Sequence, residues 1–206
     1  MRAFAPGALL ISDEGGNGLA LHVCNDGPAP LAGTLELALF RQGEISVGRA
    51  SRAVEVPARG ALELPALAAF DAFLDLGYAY RFGPPPHDLV AATLRGASGE
   101  VRARAFHFPV GLPAAREPDV GLTAEARLDG ADAGAGAALV VRARRFAQSI
   151  ALDVEGFEPD DAYFHLAPGE ERTVRLRRVS GSGAPRGTVQ PLNSEAAAKV
   201  TTAGGS

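Results

Sequence analysis

The sequence predicts an all-β protein that contains two antiparallel β-sandwiches in tandem, with one short helix in the first. Apolar and polar residues alternate along many short segments, which is the period of a strand with one buried face. The 206 residues include 25 glycines and 15 prolines, a composition typical of strands joined by tight turns. A proline-rich stretch without alternation divides the chain near its middle, so we expect two domains.

The composition narrows the class of protein. Hydrophobic residues make up 47% and charged residues 21%, as in ordinary globular domains. The 20 basic and 24 acidic residues give a net charge of -4, so we expect neither nucleic acid nor a membrane as a partner. Cys24 is the single cysteine, which excludes an internal disulfide. The start of the chain does not resemble a signal peptide, and the sequence indicates no compartment.

The first predicted domain covers residues 1–110. The alternation in "NGLALHVCND" and "GTLELALFRQ" predicts two strands whose buried faces carry Leu19, Leu21, Val23, Leu35, Leu37 and Leu39. Further strands are predicted in "ISVG", "RAVEV", "ALEL", "DLVAATLR" and "VRARAFHF", the last two joined by a hairpin at Gly96 to Gly99. About seven short strands in roughly a hundred residues are typical of an immunoglobulin-like sandwich.

One segment of this first domain has the period of a helix. Pro65 opens "PALAAFDAFLDL", and proline suits the first turn of a helix. Leu67, Phe70, Phe73 and Leu74 then fall at helical spacing. The sequence therefore predicts the short helix here.

The second half begins after a stiff connector. Residues 111–118 are predicted to be a linker, residues 119–190 a second, smaller immunoglobulin-like sandwich, and residues 191–206 a tail. The strands expected in this sandwich are "VGLTAEARL", "AALVVRARRF", "QSIALDV", "AYFHL" and "RTVRLRR". A glycine-rich loop at residues 129–136 separates the first two.

The stretch "DDAYFHLAPGEERTVRL", residues 160–176, combines four acids with a histidine. We interpret it as a hairpin with a type II turn at Pro168 and Gly169. Its acids flank the turn without the fixed offsets of a calcium loop, so structure is favoured over a calcium site. The four histidines are scattered, which argues against a transition-metal site. We expect no metal and no cofactor.

Arginines recur at alternating positions of two predicted strands, Arg142 and Arg144 in one and Arg175 and Arg177 in the other. A basic stripe of this kind could contact nucleic acid, but no aromatic residues interleave with it. A solvated sheet face that discourages edge-to-edge aggregation is the better interpretation.

The candidate binding residues are Tyr78, Tyr80 and Phe82 in "GYAYRFGPPPHD". In an extended segment these three rings would share one face and could form a platform for a sugar ring. The alternative is that they pack into the core or against a neighbouring domain, with a hydroxyl bonded to backbone as in a tyrosine corner. The chain has no tryptophan, the commonest sugar platform, so packing is favoured.

Three stretches resemble the region that follows the catalytic barrel in β-mannosidases of glycoside hydrolase family 2. They are "GNGLALHVCND", "YAYRFGPPPHDLVAATL" and "FEPDDAYFHLAPGEERTVRL", in this order between about Asp13 and Arg178. In that family "YxYRFGPPxHD" stands in a first immunoglobulin-like domain and "DNYFxLxPGE" in the terminal one. Ala162 replaces the usual asparagine of the second motif.

The resemblance implies a parent enzyme that cleaves β-mannosides with retention, using two glutamates on a (β/α)8 barrel. Those glutamates have no counterpart in this chain. We therefore expect a non-catalytic accessory region that packs against the barrel and stabilises it. The alternatives are a carbohydrate-binding module for mannan-type sugars, with Tyr78 and Tyr80 in contact with sugar, and a free-standing adhesive or scaffolding sandwich.

Overall fold

The structure, a computed structural model, describes residues 7–70, 73–112, 115–129 and 136–202. These residues form two compact units, one in residues 7–112 and the other in residues 115–202. Strands make up nearly all of the regular structure, so the predicted all-β class is confirmed. Within the described ranges no helix has the length and apolar character needed to cross a membrane.

The first unit contains seven described strands in two sheets. Strands β1, β2 and β5 form one sheet, in the order β1-β2-β5, and the other sheet has the order β4-β3-β6-β7. All of these pairs are antiparallel, as in an immunoglobulin-like Greek key. The strands are β1 (Gly7–Asp13), β2 (Leu19–Asn25), β3 (Leu31–Arg41), β4 (Ile45–Val56), β5 (Gly60–Pro65), β6 (Leu89–Gly96) and β7 (Val101–His107).

The core of the first unit lies between its two sheets. Leu21 and Val23 of β2 are fully buried, and so are Leu35 and Leu37 of β3 in the opposite sheet. Because successive side chains of a strand point to opposite faces, this is the face that the alternation predicts. Apolar burial on the facing sides of two sheets makes the unit a sandwich.

The predicted helix is much shorter in the structure. A 3-10 turn covers Ala66–Ala69, and Phe70 already has extended backbone angles, φ -108° and ψ 145°. Leu67 and Leu74 are partly buried against the core and Leu76 is 2% exposed. An irregular segment that follows the edge of a core thus places apolar residues three or four apart, as a helix does. Residues 71 and 72 of the predicted helix lie outside the described residues.

Two further predictions for this unit need correction. The separate strands expected in "ISVG" and "RAVEV" are one strand, β4, because it pairs with β3 over its whole length. Strand β1 was not predicted, and it pairs with β2 from Gly7 to Asp13. The hairpin between β6 and β7 is confirmed, with Gly99 N–H donating to Gly96 O.

The second unit contains eight described strands that form a continuous set. Their order is β11-β13-β9-β8-β15-β14-β10-β12. The side chains of β9, β10, β12, β13 and β14 meet in one core, which contains the fully buried Leu139, Ile150 and Leu166. The strands are β8 (Leu122–Leu128), β9 (Ala137–Ala143), β10 (Ala147–Val154), β11 (Phe157–Pro159), β12 (Phe164–Leu166), β13 (Glu171–Arg178), β14 (Gly187–Gln190) and β15 (Ala198–Thr202).

Strand β15 connects the two halves of this set. Ala198 and Lys199 pair antiparallel with β14, whereas residues Val200 to Thr202 pair in parallel with β8. Residues 191–202, predicted to belong to a tail, thus include a strand that holds the unit together. The linker also differs from the prediction at its end, since Glu117 forms a parallel bridge with Ser194 of this unit.

A buried side-chain amide fixes the segment that leads into β15. Asn193 is 4% exposed, its Oδ1 accepts the backbone N–H of Gln148 at 2.8 Å, and its Nδ2 donates to Phe146 O at 2.9 Å. Its own carbonyl accepts the N–H of Glu117. Asn193 therefore joins its own segment to the backbone of residues 146–148 and to Glu117.

The stretch at residues 160–176 turns a corner, but it is not a hairpin. Strand β12 pairs with β10, whereas β13 pairs with β9 and β11. The type II turn is present: Glu170 N–H donates to Ala167 O, and Gly169 has a φ of +77° that glycine adopts without strain. The chain passes here from β12, at one end of the strand order, to β13, near the other end.

Replacing Asn193 by alanine should destabilise the second unit. Asn193→Ala leaves the N–H of Gln148 without its acceptor and the carbonyl of Phe146 without its donor. We therefore expect the free energy of unfolding to fall by roughly 2–4 kcal/mol. Urea unfolding followed by the amide signals of β9 measures this loss. The signals of β3 provide an internal reference, and the exposed Asn17→Ala should change stability by less than about 0.5 kcal/mol. Equal stability of the two variants would contradict the assigned role of Asn193.

Candidate functional site

The segment between the 3-10 turn and β6 presents three aromatic side chains to solvent. We call residues 73–88 the aromatic loop. Phe73 is 73% exposed, Tyr80 48% and Phe82 87%. Rings of this size are usually buried in monomeric domains, so three exposed rings on one loop form an apolar patch.

The three rings lie next to one another. The ring centroids of Phe73 and Tyr80 are 6.1 Å apart, with planes inclined at 47°. Those of Tyr80 and Phe82 are 6.3 Å apart, and their planes are parallel within 6°. Tyr80 is therefore the ring that both phenylalanines have as a neighbour.

Tyr78 does not join this patch. Its φ is +55° and that of Arg81 is +53°, so the segment is not extended and its side chains do not alternate between two faces. The hydroxyl of Tyr78 instead donates to Gly83 O at 2.7 Å. The shared face expected for Tyr78, Tyr80 and Phe82 thus exists for the last two only. Phe73 takes the third place, although its spacing had suggested a helix.

Hydrogen bonds hold the backbone of the aromatic loop. The carboxylate of Asp75 accepts the N–H groups of Ala79 and Tyr80 at 2.8 and 3.0 Å. The hydroxyl of Tyr80 donates to Gly16 O at 3.3 Å. The ring of His87, 2% exposed, lies 2.9 Å from Leu76 O. The patch is therefore presented on a frame that is already ordered.

His107 lies near this frame at the end of β7 and is half-buried. Burial lowers the pKa of His107 below its ordinary value, the charge of Asp13 opposes this effect, and His87 adds to it. The Nε2 atom of His107 is buried and has no hydrogen-bond partner in the part of the chain that the structure describes. The neutral imidazole is therefore the form that this environment favours.

The other histidines and acids weighed in the sequence have local partners. His165 Nδ1 accepts the N–H of Ser149 at 2.9 Å. Asp160 accepts the N–H of Arg175 at 3.0 Å, and Asp161 forms an ion pair with Arg172. Within the described ranges, no three or more histidine, cysteine, aspartate or glutamate side chains are grouped so that they could hold a metal ion.

The arginines of the second unit alternate with acids across neighbouring strands. Arg142 Nε lies 2.7 Å from Glu171 Oε2, and Arg142 Nη1 lies 3.8 Å from Glu125 Oε2. Arg177 forms an ion pair with Glu158 on β11. This pairing suits a solvated sheet face whose charges compensate one another.

Two much longer proteins of known structure contain regions similar to this chain. One is a β-D-mannosidase from Dictyoglomus thermophilum, with 15% identity and a TM-score of 0.64 over 98% of this chain and 23% of that chain. The other is an exo-chitosanase from Amycolatopsis orientalis, in complex with PNP-β-D-glucosamine, with 16% identity and a TM-score of 0.67 over 97% of this chain and 27% of that one. This chain spans about a quarter of the length of each.

No family model matches the chain, and no curated protein matches it. At the identities of the two structural neighbours the likeness concerns the fold. The fold of the chain is therefore one that occurs within a β-D-mannosidase and within an exo-chitosanase.

The lowered pKa of His107 predicts a loss of stability in acid. The unfolded chain takes up a proton near the ordinary histidine pKa of about 6.5, whereas the folded chain resists protonation until the pH is lower. The contribution of His107 to the free energy of unfolding is therefore complete above pH 6.5. It is lost as the pH falls from the pKa of the unfolded chain to the lower pKa of the folded chain. His107→Gln removes this titration.

Denaturant unfolding of the native chain and of His107→Gln between pH 8 and pH 5 measures the effect. The native chain should lose stability relative to the variant as the pH falls below about 6.5. Asn17→Ala, at an exposed residue that does not titrate, is the control and should follow the native chain. A difference between native chain and His107→Gln that stays constant with pH would contradict the prediction.

Proposed function

We propose that this chain is a non-catalytic accessory region of a β-mannosidase-like retaining glycoside hydrolase, where it packs against the catalytic (β/α)8 barrel and stabilises it. The observation that carries the proposal is the exposed patch of Phe73, Tyr80 and Phe82 on a hydrogen-bonded loop. Patches of this type mark surfaces that another domain or a ligand covers.

The energetics of the patch support a docking role. A large apolar side chain gains about 1.5–3 kcal/mol when it passes from full exposure to full burial. Asp75 and Tyr78 already hold the loop, so docking requires little further ordering of its backbone. Covering Phe73 and Phe82 would thus give a net stabilisation to whichever domain lies against them.

The sequence motif and the fold support the catalytic barrel of a glycosidase as the partner. The motif "YRFGPPPHD", through which the chain resembles family 2 β-mannosidases, runs from Tyr80 to Asp88 and so forms half of the aromatic loop. Both structural neighbours are much longer than this chain and one is a β-D-mannosidase. A retaining glycosidase of this family carries its two catalytic glutamates on a (β/α)8 barrel, whereas the regular structure of the described residues consists of strands and 3-10 turns.

The docking role is tested in the complete protein encoded by the gene that contains this sequence. The double variant Phe73→Ser, Phe82→Ser should lower the melting temperature of that protein and its hydrolysis of an aryl β-mannoside. The same variant of the 206-residue chain should keep its own melting temperature, because both rings are exposed there. Val47→Ser, at an exposed apolar residue of β4, is the control and should have no effect in either protein.

Two results would overturn this proposal. One is the finding that the gene containing this sequence encodes no catalytic barrel. The other is a complete protein whose melting temperature and activity are unchanged by the double variant. A fall in the melting temperature of the isolated chain would assign the rings to its own stability instead.

The second candidate function is the binding of mannan-type sugars by the same rings. The parallel, exposed rings of Tyr80 and Phe82 favour it, since aromatic faces pack against the apolar side of a pyranose. An NMR titration of the chain with mannobiose and longer β-mannosides tests it. We expect saturable shifts around Tyr80 that Tyr80→Ala abolishes and Tyr163→Ala, at a 70% exposed tyrosine of the second unit, leaves intact. The absence of shifts at millimolar sugar would exclude this function.

A further inference from the structure

The second unit contains a polar cavity that the proposed function does not use. Its volume is about 360 Å³. Glu155 and Gly156 line it from the turn between β10 and β11, and Arg178 lines it from the end of β13. The remaining wall is the loop "SGSGAPR", residues 180–186, which leads into β14.

Arg178 is held in place at the wall of this cavity. Its guanidinium lies 4.3 Å from the ring centroid of the buried Phe157, a cation–π contact. Its Nη2 donates to Gly183 O at 2.7 Å. A cation whose side chain is already ordered loses little entropy when it binds an anion.

The loop between β13 and β14 provides both space for a ligand and further hydrogen-bond donors. Gly181 and Gly183 have φ values of +71° and +113°, and a Cβ added to either would meet nothing within 4 Å. The space beside their backbone is therefore open. Ser180 and Ser182 also line the cavity, and each hydroxyl is both a donor and an acceptor.

The charges that line the cavity sum to a positive value. Arg178 and Arg186 each carry a positive charge and Glu155 carries a negative one, whereas the chain as a whole has a net charge of -4. The carbonyl of Arg186 accepts the N–H of Glu155 at 2.9 Å, which fixes the backbone of both residues at the rim. A guanidinium binds a phosphate or a carboxylate through two parallel hydrogen bonds.

We propose that this cavity binds a small oxyanion between Arg178 and Arg186. The shared chemistry is a phosphate or carboxylate group, and its source is either inorganic phosphate or an acidic sugar such as a glucuronoside. The guanidinium groups supply charge, the serine hydroxyls supply further donors, and the glycines leave room for the ligand. This site is independent of the aromatic loop and of the proposed docking role.

The experiment is an NMR titration of the 206-residue chain with sodium phosphate and with methyl β-D-glucuronide at constant ionic strength. The amide signals of Gly181 and Gly183 are the reporters. Arg186→Gln should weaken binding about tenfold, because it removes a charge-assisted hydrogen bond. Glu155→Gln should strengthen binding about threefold, because it removes the negative charge at the rim. Arg127→Gln, at an arginine of β8, is the control and should change nothing.

The opposite effects of Arg186→Gln and Glu155→Gln separate specific binding from loss of structure. Saturable shifts with phosphate alone, or with the glucuronide alone, support the site and identify its source. Shifts that sodium chloride reproduces, or that Arg186→Gln and Arg127→Gln reduce equally, overturn the proposal. The absence of shifts with both compounds at tens of millimolar also overturns it.

Discussion

Each unit depends on a buried asparagine that satisfies backbone groups where no strand partner is present. In the first unit, Asn25 donates to the carbonyls of Ala29 and Pro57 and accepts the N–H of Gly27. In the second, Asn193 accepts from Gln148 and donates to Phe146. Both positions require a group that donates and accepts at once, which a carboxamide does and a carboxylate does not. These two side chains fix the connections on which the ends of the surrounding strands rely.

Alternation predicted the strands that bury one continuous face, such as β2, β3 and β13, because burial alone determines their pattern. It did not predict β1, in which Leu9 is 6% exposed and the adjacent Leu10 is 53% exposed within an unbroken apolar run. Strands β11 and β14 have three and four residues, too few to establish a period. Strand β15 is determined by backbone pairing with a distant strand, of which the local sequence carries no sign.

The sequence predicts some of the aromatic residues of the candidate site, but it does not predict the backbone conformation that brings them together. Tyr80 and Phe82 stand out in the sequence, but the positive φ values of Tyr78 and Arg81 are rare for residues other than glycine, and no local pattern indicates them. The spacing of Phe73 predicts a helix, because an irregular segment along a core edge has the same spacing of apolar residues. The cavity at Arg178 and Arg186 exists only because the fold brings the turn at residues 155–156 to the loop at residues 180–186.

The parallel pairing of β15 with β8 determines when the second unit can be completed during synthesis. Val200 lies opposite Ala124, so this edge of β8 is covered only when β15, the last strand described in the unit, has been synthesised. The first unit has no such dependence among its described strands, which all precede residue 112. A ribosome that delivers the chain from its amino end thus releases a finished first unit while β8 still exposes an open edge, and the contacts of longest sequence separation close last. During translation the first unit can therefore complete its fold before the second, although the final structure shows no sign of this order.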